Sequence, residues 1–173
     1  MHYTKLTGII INRRSIGDAD RFLTILTAEA GKLSLYAHGI RSLKSKRGAS
    51  LDLFSEIKFE IRESAGRTSL VSVELMDSHA EAKQGLKDIS RLFQLGELVD
   101  ALVPEADPQV EVYELLQTAL AHLTRFDTPE YVFRFKRRLL QLLGYWDTEL
   151  TVQSIDPYLE SLLQRPLRAR QIG

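Results

Sequence analysis

The sequence predicts an α+β chain in two parts, a small β-barrel over residues 1–78 and an all-α domain over residues 79–173. Three observations predict it. Up to about residue 78, apolar and polar residues alternate in short runs broken by glycine and Asp/Asn turns, the period of strands. From His79 onward the apolar residues recur at i, i+3, i+4, the period of helices. The chain has 173 residues, 44% hydrophobic and 27% charged, enough to bury a core in one domain or two small ones.

The elements follow in order. Residues 5–13 hold the β-branched run Ile9-Ile10-Ile11, and Asn12 to Asp18 mark a turn. Residues 21–27 form a second strand, stopped at Glu29-Ala30-Gly31. Residues 32–38 form a third, with Leu33, Leu35 and Ala37 on one face and Ser34 and Tyr36 on the other. Residues 51–62 read as the clearest strand, Leu53, Ile57, Phe59 and Ile61 alternating with Glu56, Lys58, Glu60 and Arg62. Ala65-Gly66 turns into a fifth strand, in which Val71, Val73 and Leu75 alternate with Leu70, Ser72 and Glu74. Short strands with tight turns and a longer basic loop after the third suggest a barrel.

Asp88 is the expected N-cap of the first helix, which ends before Pro104. Pro108 marks the first turn of the next, through Leu123. Thr128-Pro129-Glu130 opens a third, with a threonine cap and proline at the first helical position, and Gly144 closes it in a left-handed cap. Asp156-Pro157 starts a last helix through Leu163.

Composition also excludes whole classes. No apolar run approaches the ~20 residues that cross a bilayer. The first residues show no signal-peptide pattern. Zero cysteines exclude disulfides and thiolate zinc sites. The expectation is a soluble cytoplasmic protein. The four histidines lie on different elements without metal-ligand spacing, no glycine-rich phosphate loop appears, and candidate nucleophiles have no local base. No enzyme and no cofactor are expected. Asp18 and Asp20 can in principle hold a divalent ion for strand cleavage, but beside Arg14 and Arg21 they read as a turn cap or local ion pair.

The formal net charge is zero, from 23 basic and 23 acidic residues, yet charge is unevenly placed. Residues 1–78 carry 12 basic against 9 acidic side chains; residues 79–173 carry 11 against 14. Residues 32–48 hold Lys32, Arg41, Lys44, Lys46 and Arg47 with no acid, whereas residues 97–114 hold six acids and no base. Such clusters make local fields that the net charge hides. The loop from Gly39 to Gly48 joins four cations to two glycines and two serines, a composition suited to phosphates and equally that of a solvated loop. Tyr36 before it either stacks on a base or packs on a neighbouring element. A second basic face, Arg134, Arg137 and Arg138 with Gln141, suits an acidic peptide, nucleic acid or a plain solvent face.

Six short motifs occur in order along the chain: Arg14 through Asp20; Leu26 through Lys32; Gly39-Ile40-Arg41 with Ser45; Gly48-Ala49-Ser50-Leu51 with Phe54; Gly96-Glu97-Leu98; and Arg134 through Leu140 with Leu143-Gly144-Tyr145. Together they resemble the bacterial RecO recombination-mediator family over nearly the whole chain. Many relatives place a four-cysteine zinc module after the glycine-tyrosine pair. Here Leu150-Thr151-Val152-Gln153-Ser154 follows without cysteine, so the resemblance is to a short member lacking that module.

The resemblance implies an N-terminal OB-fold over residues 1–78 that binds nucleic acid, and a helical C-terminal domain over residues 79–173. It implies a non-catalytic, cytoplasmic and nucleoid-associated protein of DNA damage repair and recombination. Such a protein binds single- and double-stranded DNA, anneals strands, and with RecR helps RecA replace single-strand-binding protein. The candidate DNA contacts are Arg14, Arg21, Lys32, Tyr36, Arg41, Lys44, Lys46 and Arg47. Arg134, which matches a family arginine, with Arg137 and Arg138 is the candidate site for the acidic tail of single-strand-binding protein. The alternative is an interaction scaffold that binds acidic peptides and has little DNA activity.

Overall fold

The computed structural model describes residues 2–18, 20–38, 51–125 and 128–169. By internal contacts the chain falls into two units, Met1–His79 with Pro104–Tyr113, and Ala80–Val103 with Glu114–Gly173. Among the described residues the first contains five strands, β1 (His2–Ile16), β2 (Asp20–Thr27), β3 (Gly31–Ala37), β4 (Glu56–Ser64) and β5 (Arg67–Asp77). They close into a barrel in the order β1-β2-β3-β5-β4, the five-stranded Greek-key arrangement of an OB-fold.

Closure depends on β1, which pairs with β4 through residues 2–9 and with β2 through residues 8–16. The two ladders overlap at Gly8 and Ile9, and at Gly8 a Cβ would stand 2.5 Å from Ile25 Cγ2, so only glycine fits. Beyond it the register shifts between Ile10 and Asn12, leaving Ile11 as an extra residue. The three consecutive isoleucines are all buried, and of these only Ile10 belongs to the cluster inside the barrel. Inside the barrel, Leu6, Ile10, Leu23, Ile25, Leu35, Leu51, Ile57, Phe59 and Ile61 form one cluster. Each such side chain, once buried, contributes roughly 1.5–3 kcal/mol before conformational entropy is subtracted.

The fourth strand begins at Glu56 rather than residue 51. Phe54 has a φ of 61°, which breaks extended structure, and residues 51–54 form a turn. The turn still joins the barrel, because Phe54 N–H donates to Ile10 O at 2.7 Å and Ile10 N–H donates to Ser55 O at 3.1 Å. The fifth strand departs from simple alternation as well. Ser72 faces Glu60 but Leu70 faces Ile61, so Val71 is an extra residue and is exposed. Leu70 and Val73, not Val71 and Leu75, pack on the core cluster.

Residues 104–113 complete this unit. Glu105 bridges Lys32, Ala106 N–H donates to Lys32 O at 2.9 Å, and Ser34 Oγ donates to Glu105 Oε1 at 2.8 Å. Gly31, at φ 73°, lies against the backbone of Asp107 so closely that a Cβ would collide with it. At the far end of the segment the Tyr113 hydroxyl donates to buried Glu56 at 2.6 Å. Burial, then the Glu56 hydrogen bond and charge, hold the Tyr113 phenol far above its ordinary pKa of 10.0.

The helices are α1 (Leu86–Leu102), α2 (Val110–His122), α3 (Pro129–Leu143) and α4 (Ile155–Leu163), preceded by a 3₁₀ turn at Ala80–Lys83. The N-cap of α1 is Gly85, and Asp88 sits inside the first turn, where a carboxylate favours the helix N-terminus. Pro108 precedes α2 rather than lying in it. The α3 boundaries follow their local chemistry. Thr128 Oγ1 accepts from Tyr131 N–H at 3.2 Å, and Gly144 at φ 79° closes the other end.

Two carboxylates fasten the second unit. Asp156 of α4 accepts from Lys136 of α3 at 2.5 Å, which is why a lysine only 5% exposed is tolerated there. Glu97 of α1 gathers the C-terminal segment, accepting from the Arg165 guanidinium, from Arg168 N–H at 3.0 Å and from Ala169 N–H at 3.1 Å. Burial alone would raise the Glu97 pKa, but these hydrogen bonds outweigh it and hold the carboxyl below its ordinary value. Among the described residues, no helix is long and apolar enough to cross a membrane.

Candidate nucleic-acid interface

Directly paired residues on neighbouring strands share a face, so the barrel register fixes what its outer surface presents. Arg14 pairs with Phe22, and Phe22 pairs with Tyr36. Tyr36 pairs in turn with Ser69 of β5, Ser69 with Arg62 of β4, and Arg62 with Tyr3 of β1. A single outward row around the barrel thus carries two cations, Arg14 and Arg62, and three aromatic rings, Phe22, Tyr36 and Tyr3, with Ser69 between Tyr36 and Arg62. Arg14 lies over the Phe22 ring, its guanidinium carbon 5.7 Å from the centroid, close enough for a cation–π contact.

Tyr36 is 37% exposed and stacks on His38, with ring centroids 6.0 Å apart and planes 24° apart. Both rings are held by Asp20 at the start of β2. The Tyr36 hydroxyl donates to Oδ2, and His38 Nδ1 lies 2.9 Å from Oδ1. The hydrogen bond to this carboxylate raises the Tyr36 phenol above its ordinary pKa, with desolvation and the carboxylate charge adding to it. Asp20 is therefore occupied by the two rings.

The expected DNA contacts divide into three groups. Arg14 and Tyr36 stand together on the outer row. Arg21 and Lys32 do not join them. Arg21 pairs with buried Ala37, on the opposite face from Tyr36, and one of its guanidinium nitrogens is buried. Lys32 is 9% exposed, and its main chain forms a β-bridge with that of Glu105. Arg41, Lys44, Lys46 and Arg47 lie outside the described residues. Sequence reasoning placed His38 beside Tyr36 on the polar face of the third strand but missed Phe22, Arg62 and the hold of Asp20 on both rings. The signal for them is register, which depends on the bulge at Ile11 and becomes readable only once strands are paired.

In the second unit Arg134, Arg137, Arg138 and Gln141 are exposed along α3, while Phe135 and Leu139 are buried, as helical spacing requires. Arg137 lies over the Trp146 ring at 5.3 Å, and Phe133 meets the same ring edge-on at 6.3 Å. Trp146, just past the Gly144 cap, is a participant the sequence reading did not single out. The arrangement offers cations beside an aromatic surface, a combination that takes carboxylates and apolar side chains together. The residues present do not fit a four-cysteine zinc site, since the chain has no cysteine.

Comparison with known proteins agrees with both parts. Residues 1–79 match the family model described as recombination protein O N terminal, and residues 86–146 match recombination protein O C terminal. Similar curated proteins, each named DNA repair protein RecO, occur in Symbiobacterium thermophilum, Pelobacter propionicus and Anaeromyxobacter sp. (strain K). The first is 34% identical over 140 residues, 80% of this chain and 55% of that protein. The second is 29% identical over 147 residues, 84% of this chain and 60% of that protein. The third is 33% identical over 129 residues, 73% of this chain and 50% of that protein. The chain therefore spans little more than half the length of the relatives it matches. With an OB barrel, a helical unit and both family models along its length, it belongs to the recombination protein O (RecO) family.

Proposed function

We propose that this chain is a non-catalytic, DNA-binding mediator of recombinational repair. The observation that carries the reading is the outward row Arg14–Phe22–Tyr36 on an OB barrel, ending at His38 where the cationic segment 39–50 begins. Rings that stack on bases beside cations that neutralise phosphates are the elements of single-strand binding. In this reading residues 1–78 form the nucleic-acid-binding domain and residues 79–173 the helical domain. Arg14, Tyr36, Arg41, Lys44, Lys46 and Arg47 contact DNA. Arg21 and Lys32 contribute charge from covered positions.

The Arg137–Trp146–Phe133 cluster, with Arg134 and Arg138 along the same helix, supports capture of the acidic tail of single-strand-binding protein. Double-stranded DNA, RecR and, indirectly, RecA complete the proposed partners, in the cytoplasm at the nucleoid. Annealing then follows from concentrating and neutralising two polyanions, with no bond chemistry. The same cluster favours the second reading, a scaffold for acidic peptides with little DNA activity.

A titration with a single-stranded oligonucleotide at two salt concentrations, beside one with an acidic tail peptide, separates the two. The mediator reading expects affinity for the oligonucleotide to fall steeply with salt. Reversing charge at Arg41, Lys44 and Arg47 is expected to weaken DNA binding about 100-fold or more while leaving the thermal midpoint nearly unchanged. Unaltered DNA affinity in that variant removes the segment from the site. Peptide binding with no DNA binding selects the scaffold.

A further inference from the structure

We infer that Asp20 is a positioning residue that holds Tyr36 and His38 as a two-ring pile selective for an unpaired nucleobase, so that an acid sets the preference of the barrel for single over double strands. This rests on the nucleic-acid reading above and adds the residue that organises it. Tyr36 and His38 are two positions apart, so they share a face. Nothing in that spacing alone stacks their rings. The two oxygens of one carboxylate do so, one taking the Tyr36 hydroxyl and the other lying 2.9 Å from His38 Nδ1.

The His38 side chain is 81% exposed and follows the last residue of β3, so without this contact its ring would be free to change rotamer. With it, the pile Tyr36–His38 is already ordered and presents the exposed imidazole for a further ring. An unpaired base can add to such a pile through its π-face. A base inside a duplex is already stacked on both sides and cannot. Ordering the rings before the ligand arrives lowers the cost of binding.

The sign of the effect makes the proposal testable. A carboxylate close to phosphates repels them, so if Asp20 acted by charge alone, its removal would tighten binding to every polyanion. Positioning predicts the reverse for single strands. The experiment measures the affinity of the full chain and of Asp20→Ala for a single-stranded oligonucleotide carrying 2-aminopurine, and for the matching duplex. The expected result is a five- to tenfold loss for the single strand, on the order of one unpreorganised stacking contact. Duplex affinity should be unchanged or higher, base quenching weaker, and the salt slope unaltered.

His38→Ala, at an exposed position that folding does not need, should show the same selective loss. It carries the test if Asp20→Ala lowers the thermal midpoint. Single-strand binding by Asp20→Ala that equals or exceeds that of the unaltered chain overturns the inference, as does an equal loss for both ligands. Absence of single-strand binding by the unaltered chain overturns the functional reading and the inference with it.

Discussion

Each unit of this protein anchors a segment distant in sequence, and the two do so by different physics. The barrel takes up residues 104–113 by shape and backbone: a missing Cβ at Gly31, a main-chain hydrogen bond to Lys32 and a neutral phenol on Glu56. The helical unit takes up residues 165–169 largely by charge, through the Glu97 carboxylate, which receives a guanidinium and two backbone N–H groups, and through Glu160, which accepts from Leu167 N–H at 2.9 Å. A contact of the first kind is sensitive to volume. One of the second kind is sensitive to protons, because its acceptor loses strength when it is protonated.

The most severe break in that contrast is Gly31→Ala. It combines a left-handed φ with a collision against the Asp107 backbone, and should cost about 3 kcal/mol in urea unfolding. Limited proteolysis should then cut within residues 104–109, whereas the C-terminal segment stays protected. Cleavage unchanged there would mean that shape does not hold the segment.

Glu97→Gln tests the other side and should cost about 1–2 kcal/mol, since three donors lose their charged acceptor. Its pH dependence has a definite sign. The folded Glu97 pKa lies below its ordinary 4.5, so the contribution is present above that value and is lost as pH falls through the folded pKa. Amide exchange at Arg168 and Ala169 should accelerate in acid, and the glutamine variant should show no such limb.

Tyr113→Phe is expected to cost about 1 kcal/mol by removing the donor to Glu56. Here the sign is opposite. The folded phenol is raised above 10.0, so its contribution is complete below that value and declines as pH rises above it. An alkaline loss of stability that is reduced in the phenylalanine variant would sharpen the contrast between the two anchors. The smallest effect belongs to Asp20→Asn, whose ring contacts lie at the surface; its thermal stability should stay within about 0.5 kcal/mol of the unaltered chain.

What could be read from sequence follows how local the cause is. Helix α3 was legible from end to end because Thr128, Pro129 and Gly144 define its limits within their own neighbourhood. The barrel strands were legible by alternation, but their bulges were not, since an extra residue at Ile11 or Val71 exists only relative to a partner strand. The docking of residues 104–113 left no composition signal, because it depends on an absent side chain and on main-chain groups. Of the interface, Arg14 and Tyr36 could be read as a cation and an exposed ring. Their common row with Phe22, and the carboxylate that orders Tyr36 and His38, required the register.

The shared use of β1 by two ladders has a consequence for how this gene can change. Its first half is phased by β4 and its second by β2, and the extra residue at Ile11 sets the offset between them. Loss of that one codon would leave both ladders in register, because Ile11 has no partner on β2: Arg13 would still pair with Leu23 and Arg14 with Phe22, and only the bulge would disappear. The unpaired residue thus gives this half of β1 slack: an in-frame deletion there can be absorbed by the bulge without exchanging the lining of the barrel for its exterior.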